Sequence, residues 1–301
     1  MLSFRRLVSW ILILVALFGT FVLAYFSYPT PVDNGVNVCL HLSDYDNQTV
    51  SYLNDLRVRW VRTDWIVTPD ALMKVYSQNL EDNGINLLAI IDTNTFLNQD
   101  YTLEEWNKTI TEIVTSDGFN NTDAVEIWNE PNGGAFIPAE TYYEMLKSAC
   151  AIIKNYVSIP VVFAGVSPNI GNWQTYVNTV FAHEDVQNHF DYMGIHLYDD
   201  VTTNQNTLQF VKNLTDKPTW LTETGKPSEN GDETEQAAYL SSIYSTFKPL
   251  VSKIFVYELK DTDTYGLFPD TENHFGLLTI NDTKKRKLTT FFGNLTENER
   301  T

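Results

Sequence analysis

From residue 34 onward the chain switches eight times between a short apolar run and a longer amphipathic stretch, and few folds accommodate that rhythm. The apolar runs are Gly35–His41, Trp60–Trp65, Ile85–Asp92, Ala124–Asn129, Pro160–Val166, Tyr192–Leu197, Thr219–Thr222 and Lys253–Glu258. Helical spacing marks Gln48–Leu56, Asp70–Asp82, Leu103–Thr115, Ala139–Val157, Trp173–His183, Thr207–Leu214, Glu233–Lys248 and Lys284–Phe292. Thr102 with Glu105 three residues on reads as a capping box, and Pro69 and Pro138 suit first-turn positions. Leu87–Ile91 is apolar on consecutive residues, as strands buried on both faces require. Eight strands, each followed by a helix, predict an α/β chain with a single (β/α)8 barrel over residues 34–301. A doubly wound open sheet is the rival reading; no Gly-x-Gly-x-x-Gly follows the first strand, which disfavours its dinucleotide-binding form.

A barrel of this kind does its chemistry at the C-terminal ends of its strands. Polar residues gather where the apolar runs stop: His41, Arg62 and Asp64, Asp92, Asn129 and Glu130, His196 and Tyr198, Glu223, Tyr257 and Glu258. The net charge of -18 argues against nucleic acid as a partner, because phosphate binding needs clustered Lys and Arg. Cys39 and Cys150 are the only cysteines and are expected as buried free thiols; no metal-ligand spacing is present, and no cofactor is implied.

Leu7–Phe26 runs uncharged behind Arg5 and Arg6. Twenty helical residues span ~30 Å, a bilayer's hydrocarbon core, and the flanking arginines put the first residues in the cytoplasm. Residues 1–33 are therefore expected as a cytoplasmic stub, a transmembrane signal-anchor and a short linker, with the barrel outside the cell as a single-pass membrane protein. A cleaved signal peptide followed by secretion is the alternative, although Ala24-Tyr25-Phe26-Ser27-Tyr28 offers no clean small-x-small site. Asn-x-Ser/Thr sequons at Asn47, Asn107, Asn120, Asn213, Asn281 and Asn294 all lie beyond the anchor and agree with an extracellular glycoprotein. The chain is read as a monomer.

The fourth apolar run ends in Trp128-Asn129-Glu130-Pro131 and the seventh in Leu221-Thr222-Glu223-Thr224-Gly225. A carboxylate at the end of an apolar strand is costly to desolvate unless something uses it, and strands four and seven face each other across a barrel mouth. Glycoside cleavage calls for such a pair: one carboxyl protonates the leaving oxygen while the other attacks the anomeric carbon. With His196-Leu197-Tyr198, Arg62, Tyr257-Glu258-Leu259-Lys260-Asp261 and His274-Phe275-Gly276-Leu277-Leu278, these residues resemble the glycoside hydrolase clan A barrels, family 39-like members above all. The resemblance spans 35–292. It implies a retaining β-glycosidase with Glu130 as acid/base and Glu223 as nucleophile, acting on an oligo- or polysaccharide. It further implies Asn129 on the sugar 2-hydroxyl, Arg62 and Tyr198 holding Glu223, and His196 lining the sugar site. Trp128, Tyr257 and Glu258 complete the substrate-binding or supporting set, the last two standing where many clan members place a Trp platform.

Plainer readings stand beside these. Trp65, Trp173, Phe136 and Tyr265 serve either as sugar platforms or as anchors of the core and loops, and Glu126 is a further subsite candidate. Asp44, Asp46, Asp199 and Asp200 read as solvated loop carboxylates or at most a cation site, and Lys284–Lys287 as the solvated face of the last helix or a contact for an anionic surface. A non-catalytic glycan-binding surface protein on an inherited barrel, or a transglycosylase, are the alternative functions. The acidic balance predicts an optimum below neutrality.

Overall fold

The computed structural model describes residues 36–288 apart from 43–44, 47, 68–69, 94, 96–101, 134, 229–231, 263–272 and 286. Eight parallel strands run β1 (Val36–Cys39), β2 (Val58–Asp64), β3 (Asn86–Ile91), β4 (Ala124–Asn129), β5 (Val161–Val166), β6 (Tyr192–His196), β7 (Thr219–Thr224) and β8 (Lys253–Val256). They pair in chain order, and β1 pairs with β8, which closes the barrel and rules out the open sheet. Seven helices are described between them: α1 (Thr49–Asp55), α2 (Asp70–Asp82), α3 (Leu103–Val114), α4 (Ala139–Tyr156), α5 (Trp173–Phe181), α6 (Val201–Leu214) and α7 (Glu233–Phe247).

Side chains two apart on a strand share a face, so each strand feeds two cores. Cys39, Leu88, Ala124, Val162, Trp220 and Phe255 pack inside the barrel. Their alternates, among them Val38, Leu87, Val125, Phe163, Leu221 and Val256, pack outward against the helices. The capping box at Thr102 and Glu105 forms, with both reciprocal hydrogen bonds present. Cys39 and Cys150 are buried and unbridged.

Three expectations are corrected here. Helix α6 starts at Val201, six residues before the expected Thr207, because the Asp200 carboxylate caps the Thr202 and Thr203 amides and starts a helix whose first turns are polar. Asp200 is thus a helix cap, whereas Asp46 lies two residues ahead of Gln48, the cap of α1, and accepts from the Gln48 and Thr49 amides. Of the expected helix Lys284–Phe292, Lys287 and Leu288 are helical and residues 286 and 289–292 lie outside the described residues, but Lys284 forms a β-bridge with Leu278 instead. Nor is Lys285 solvated. It is buried, with Nζ 2.8 Å from Ser228 Oγ and 2.8 Å from Asp261 Oδ1. Burial lowers the affinity of Lys285 for its proton and raises that of Asp261. The apolar run Leu7–Phe26, Asp44, Asn47, Pro69, Tyr265 and Asn294 lie outside the described residues; among the described residues no helix is long and apolar enough to cross a membrane.

Candidate active site

Strand β4 brings its carboxylate to the mouth by breaking its own alternation. Glu126 points into the barrel, so Trp128 would follow it. Instead Trp128 adopts φ 74° and Glu130 φ 43°, left-handed conformations that cost non-glycine residues roughly 1–3 kcal/mol each. The Trp128 ring therefore swings out among the helices, where Nε1 donates to Ala135 O at 3.1 Å and the ring meets Trp106. Asn129 and Glu130 take the inward place. The loop is pinned from β5: Glu130 N donates to Gly165 O at 3.0 Å, and Asn132 Nδ2 donates to Ser167 O at 2.8 Å.

Strand β7 reaches the same end by a register shift against β6. Ile195 faces Leu221, but His196 faces Glu223, so one extra residue of β7 is taken up between them. Glu223 then enters a ring of donors. Arg62 Nη1 donates to Oε1 at 2.6 Å, and Tyr198 OH donates to Oε2 at 2.7 Å. His196 Nδ1 lies 2.9 Å from Glu130 Oε1 and 3.4 Å from Glu223 Oε2, so this buried imidazole stands between the two carboxylates. One oxygen of each carboxylate and a His196 nitrogen all lie within 4.8 Å of one another. A metal ion would accept that spacing, but the Arg62 guanidinium already holds Glu223, and Nδ1 faces carboxylate oxygens that only accept.

The guanidinium is the hub beneath. Besides Glu223, it donates from Nε to Glu126 Oε2 at 2.6 Å and from Nη2 to Asn129 Oδ1 at 2.8 Å. Glu126 is fully buried and takes the Gly165 amide on its other oxygen at 2.7 Å. Gly165 matters twice, because a Cβ there would sit 2.0 Å from His196 Nε2.

These contacts set the charges. Burial works against the Glu223 carboxylate, yet His196, Arg62 and Tyr198 outweigh it and hold Glu223 below the ordinary carboxylate value. Burial also works against an imidazolium at His196, and there Glu223 and Glu130 outweigh it and raise its affinity for the proton. Burial and the neighbouring Glu223 keep the Tyr198 hydroxyl protonated by pushing its pKa up.

The pair opens into a cavity of about 700 Å³ lined by Arg62, Asn129, Glu130, Tyr198, Glu223 and Tyr257, among others. The structure therefore brings together six of the nine residues singled out from sequence. The other three do not line the cavity, although His196 touches both carboxylates. Trp128 faces the helices, and His196 lies under the carboxylates, not along the cavity wall. Glu258 is buried behind the wall, its Oε2 2.9 Å from His41 Nε2. Glu126 is no subsite residue; the sole carboxylate inside β4, it marks a buried partner for Arg62. Trp65 is buried in the helix-side core, Trp173 packs against it, and Phe136 is 61% exposed. Sequence reasoning passed over the β5 loop, which adds Ser167, Asn169 and Ile170 to the lining, and Phe275, which packs on Tyr198 and Tyr257. Only the run Ser167-Pro168-Asn169, polar and directly after a strand, hinted at the first.

Similar folds recur among carbohydrate-active enzymes. A family 39 glycoside hydrolase from the gut symbiont Bacteroides cellulosilyticus WH2 superposes at a TM-score of 0.68, with 19% identity over 87% of this chain and 63% of that one. A β-glucuronidase from Ruminococcus gnavus gives 0.61, with 14% identity over 87% of this chain and 49% of that one. A family 30 endoxylanase from Clostridium papyrosolvens C71 gives 0.62, with 12% identity over 88% and 72%. This chain thus spans less than two thirds of the length of the first two, and these likenesses speak to the fold. No curated protein sequence matches the chain. The profile of one family, described as the glycosyl hydrolase catalytic core, matches residues 77–267, a stretch holding both carboxylates, and the chain belongs to that family of glycoside hydrolases.

Proposed function

We propose that the chain hydrolyses β-linked glycans with retention, Glu223 serving as nucleophile and Glu130 as acid/base. The observation that carries this reading is the proximity of the two carboxylates, whose facing oxygens lie within 4.8 Å across the barrel mouth. Retaining glycosidases hold their carboxyls ~5–5.5 Å apart, whereas inverting ones leave ~6.5–9.5 Å for a water. The asymmetry of the surroundings supports these roles. Glu223 is kept ionised by three donors and is poised to attack. Glu130 has one described side-chain partner and a side chain 26% exposed, so it can reach a leaving group and later a water.

In the first step Glu130 gives its proton to the glycosidic oxygen as a Glu223 oxygen bonds the anomeric carbon and the aglycone departs. In the second, Glu130 takes a proton from water, the hydroxide attacks the same carbon, and the Glu223 ester bond breaks. Asn129, fixed by Arg62, is placed to bond the 2-hydroxyl, and Tyr257 walls the same space. A 2-deoxy-2-fluoro β-glycoside slows the second step, so mass spectrometry of the treated protein should find one glycosyl ester on the peptide containing Glu223. No adduct across a panel of such sugars, with glycan affinity retained, would instead mark a binding protein.

Residues 1–33 we propose as a signal-anchor that leaves the barrel outside the cell, supported by Arg5 and Arg6 ahead of uncharged Leu7–Phe26. N-terminal sequencing of the mature protein tests it: a start near residue 28 means cleavage and secretion.

A further inference from the structure

The charge on the barrel is distributed unevenly between its two ends. Among the described residues, the segments after the eight strands (40–48, 65–69, 92–102, 130–138, 167–172, 197–200, 225–232 and 257–283) hold nine Asp and Glu against two Lys and no Arg. The segments at the opposite end (56–57, 83–85, 115–123, 157–160, 182–191, 215–218 and 248–252) hold six acids against three bases. Both lysines at the catalytic end are held by acids: Lys260 Nζ lies 2.8 Å from Asp282 Oδ1, and Lys226 Nζ lies 3.5 Å from Glu235 Oε2.

The cavity itself repeats the pattern. Among its described lining residues the one guanidinium, Arg62, directs a nitrogen at each of Glu126, Glu223 and Asn129. His41, the lining histidine, has Nε2 2.9 Å from the buried Glu258 and 3.2 Å from Tyr257 OH. Asp64 adds a lining carboxylate that neither step of the reaction uses. An incoming carboxylate or sulfate would have to compete with Glu126, Glu223 or Glu258 for these groups while facing Asp64 and Glu130. Desolvating an anion beside like charge without a partner is strongly unfavourable.

We infer that this cavity takes neutral β-glycans and turns away uronic-acid and sulfated ones. The inference rests on the reading of this cavity as the glycosidase site, and it narrows the substrate class by charge. Sugar hydroxyls meet hydrogen-bonding groups here (Asn129, Tyr257, Ser167 and Asn169), and none of these needs an anion to be satisfied.

The test pairs sugars that differ at one carbon. 4-Nitrophenyl β-glucoside and β-galactoside are compared with the matching β-glucuronide and β-galacturonide, each for kcat/KM at low and high salt. The neutral member of each pair should lead by on the order of 100-fold. Asp64→Asn should narrow that lead, and added salt should narrow its long-range part. Binding of neutral and uronic-acid oligosaccharides to the Glu223→Gln chain, by calorimetry, reads the same preference without turnover. A uronide turned over or bound as well as its neutral partner overturns the inference, as does binding of neither class. If neutral oligosaccharides bind selectively but no fluoro-sugar labels the protein, the charge preference stands and the retaining hydrolase reading falls.

Discussion

The ends of β4 and β7 present the same functional group in opposite settings. Glu223 is buried, with its side chain only 10% exposed, and it is held by Arg62, Tyr198 and His196. Glu130 is more open and is set in place by backbone: a left-handed φ, an amide on Gly165 and a loop stitched to β5. Electrostatics fixes one carboxyl and chain geometry fixes the other. A nucleophile must keep its charge, and an acid/base must exchange its proton, so the two settings suit the roles proposed for them.

On the proposed mechanism the largest expected effect comes from removing the nucleophilic carboxylate. Glu223→Gln should cost roughly 10⁴-fold or more in kcat for every substrate, whatever its leaving group. Glu130→Gln should cost ~10²–10⁴-fold with a poor leaving group and far less with 2,4-dinitrophenolate, which departs without a proton. Equal losses with both leaving groups for both variants would erase the difference between the two ends.

A second contrast lies in stability. Arg62→Met leaves the buried Glu126 without its cation and should destabilise the fold by roughly 3–5 kcal/mol, read as a lowered urea midpoint. Gln in place of Glu130, which is partly exposed, should leave that midpoint nearly unchanged.

The gentlest test is pH. Glu223 is held below its ordinary value of 4.5, so its contribution to stability is complete above 4.5 and is lost as pH falls through the lowered value. His196 is raised above its ordinary 6.5, so its contribution is complete below 6.5 and fades as pH climbs through the raised value. Both are in force between 4.5 and 6.5, where stability should peak, below neutrality. His196→Asn removes the imidazolium beside Glu223, and the acid limb of kcat/KM should move to higher pH. An unmoved limb would show that Arg62 and Tyr198 alone hold the charge.

Much of this site is legible in the primary structure because barrels put chemistry at strand ends, so Arg62, Asn129, Glu130, Tyr198, Glu223 and Tyr257 announce themselves where apolar runs stop. What stays hidden follows from backbone events that periodicity does not encode. Trp128 belongs by count to the inner face, and only its left-handed conformation sends it out. His196 reads as a wall residue, yet the bare Gly165 makes room for it beneath both carboxylates. Lys285 sits in a basic run that looks solvated, and Ser228 and Asp261, distant in sequence, draw it inside.

The order of residues alone determined the barrel, since only alternating apolar runs and amphipathic helices of these lengths bury both faces of each strand. It also determined which strand ends carry carboxyls. The tertiary structure decided how far apart Glu130 and Glu223 stand and which of them is held charged. Those quantities depend on register shifts, left-handed turns and ion pairs between strands far apart in the chain, all fixed when the sheet closes.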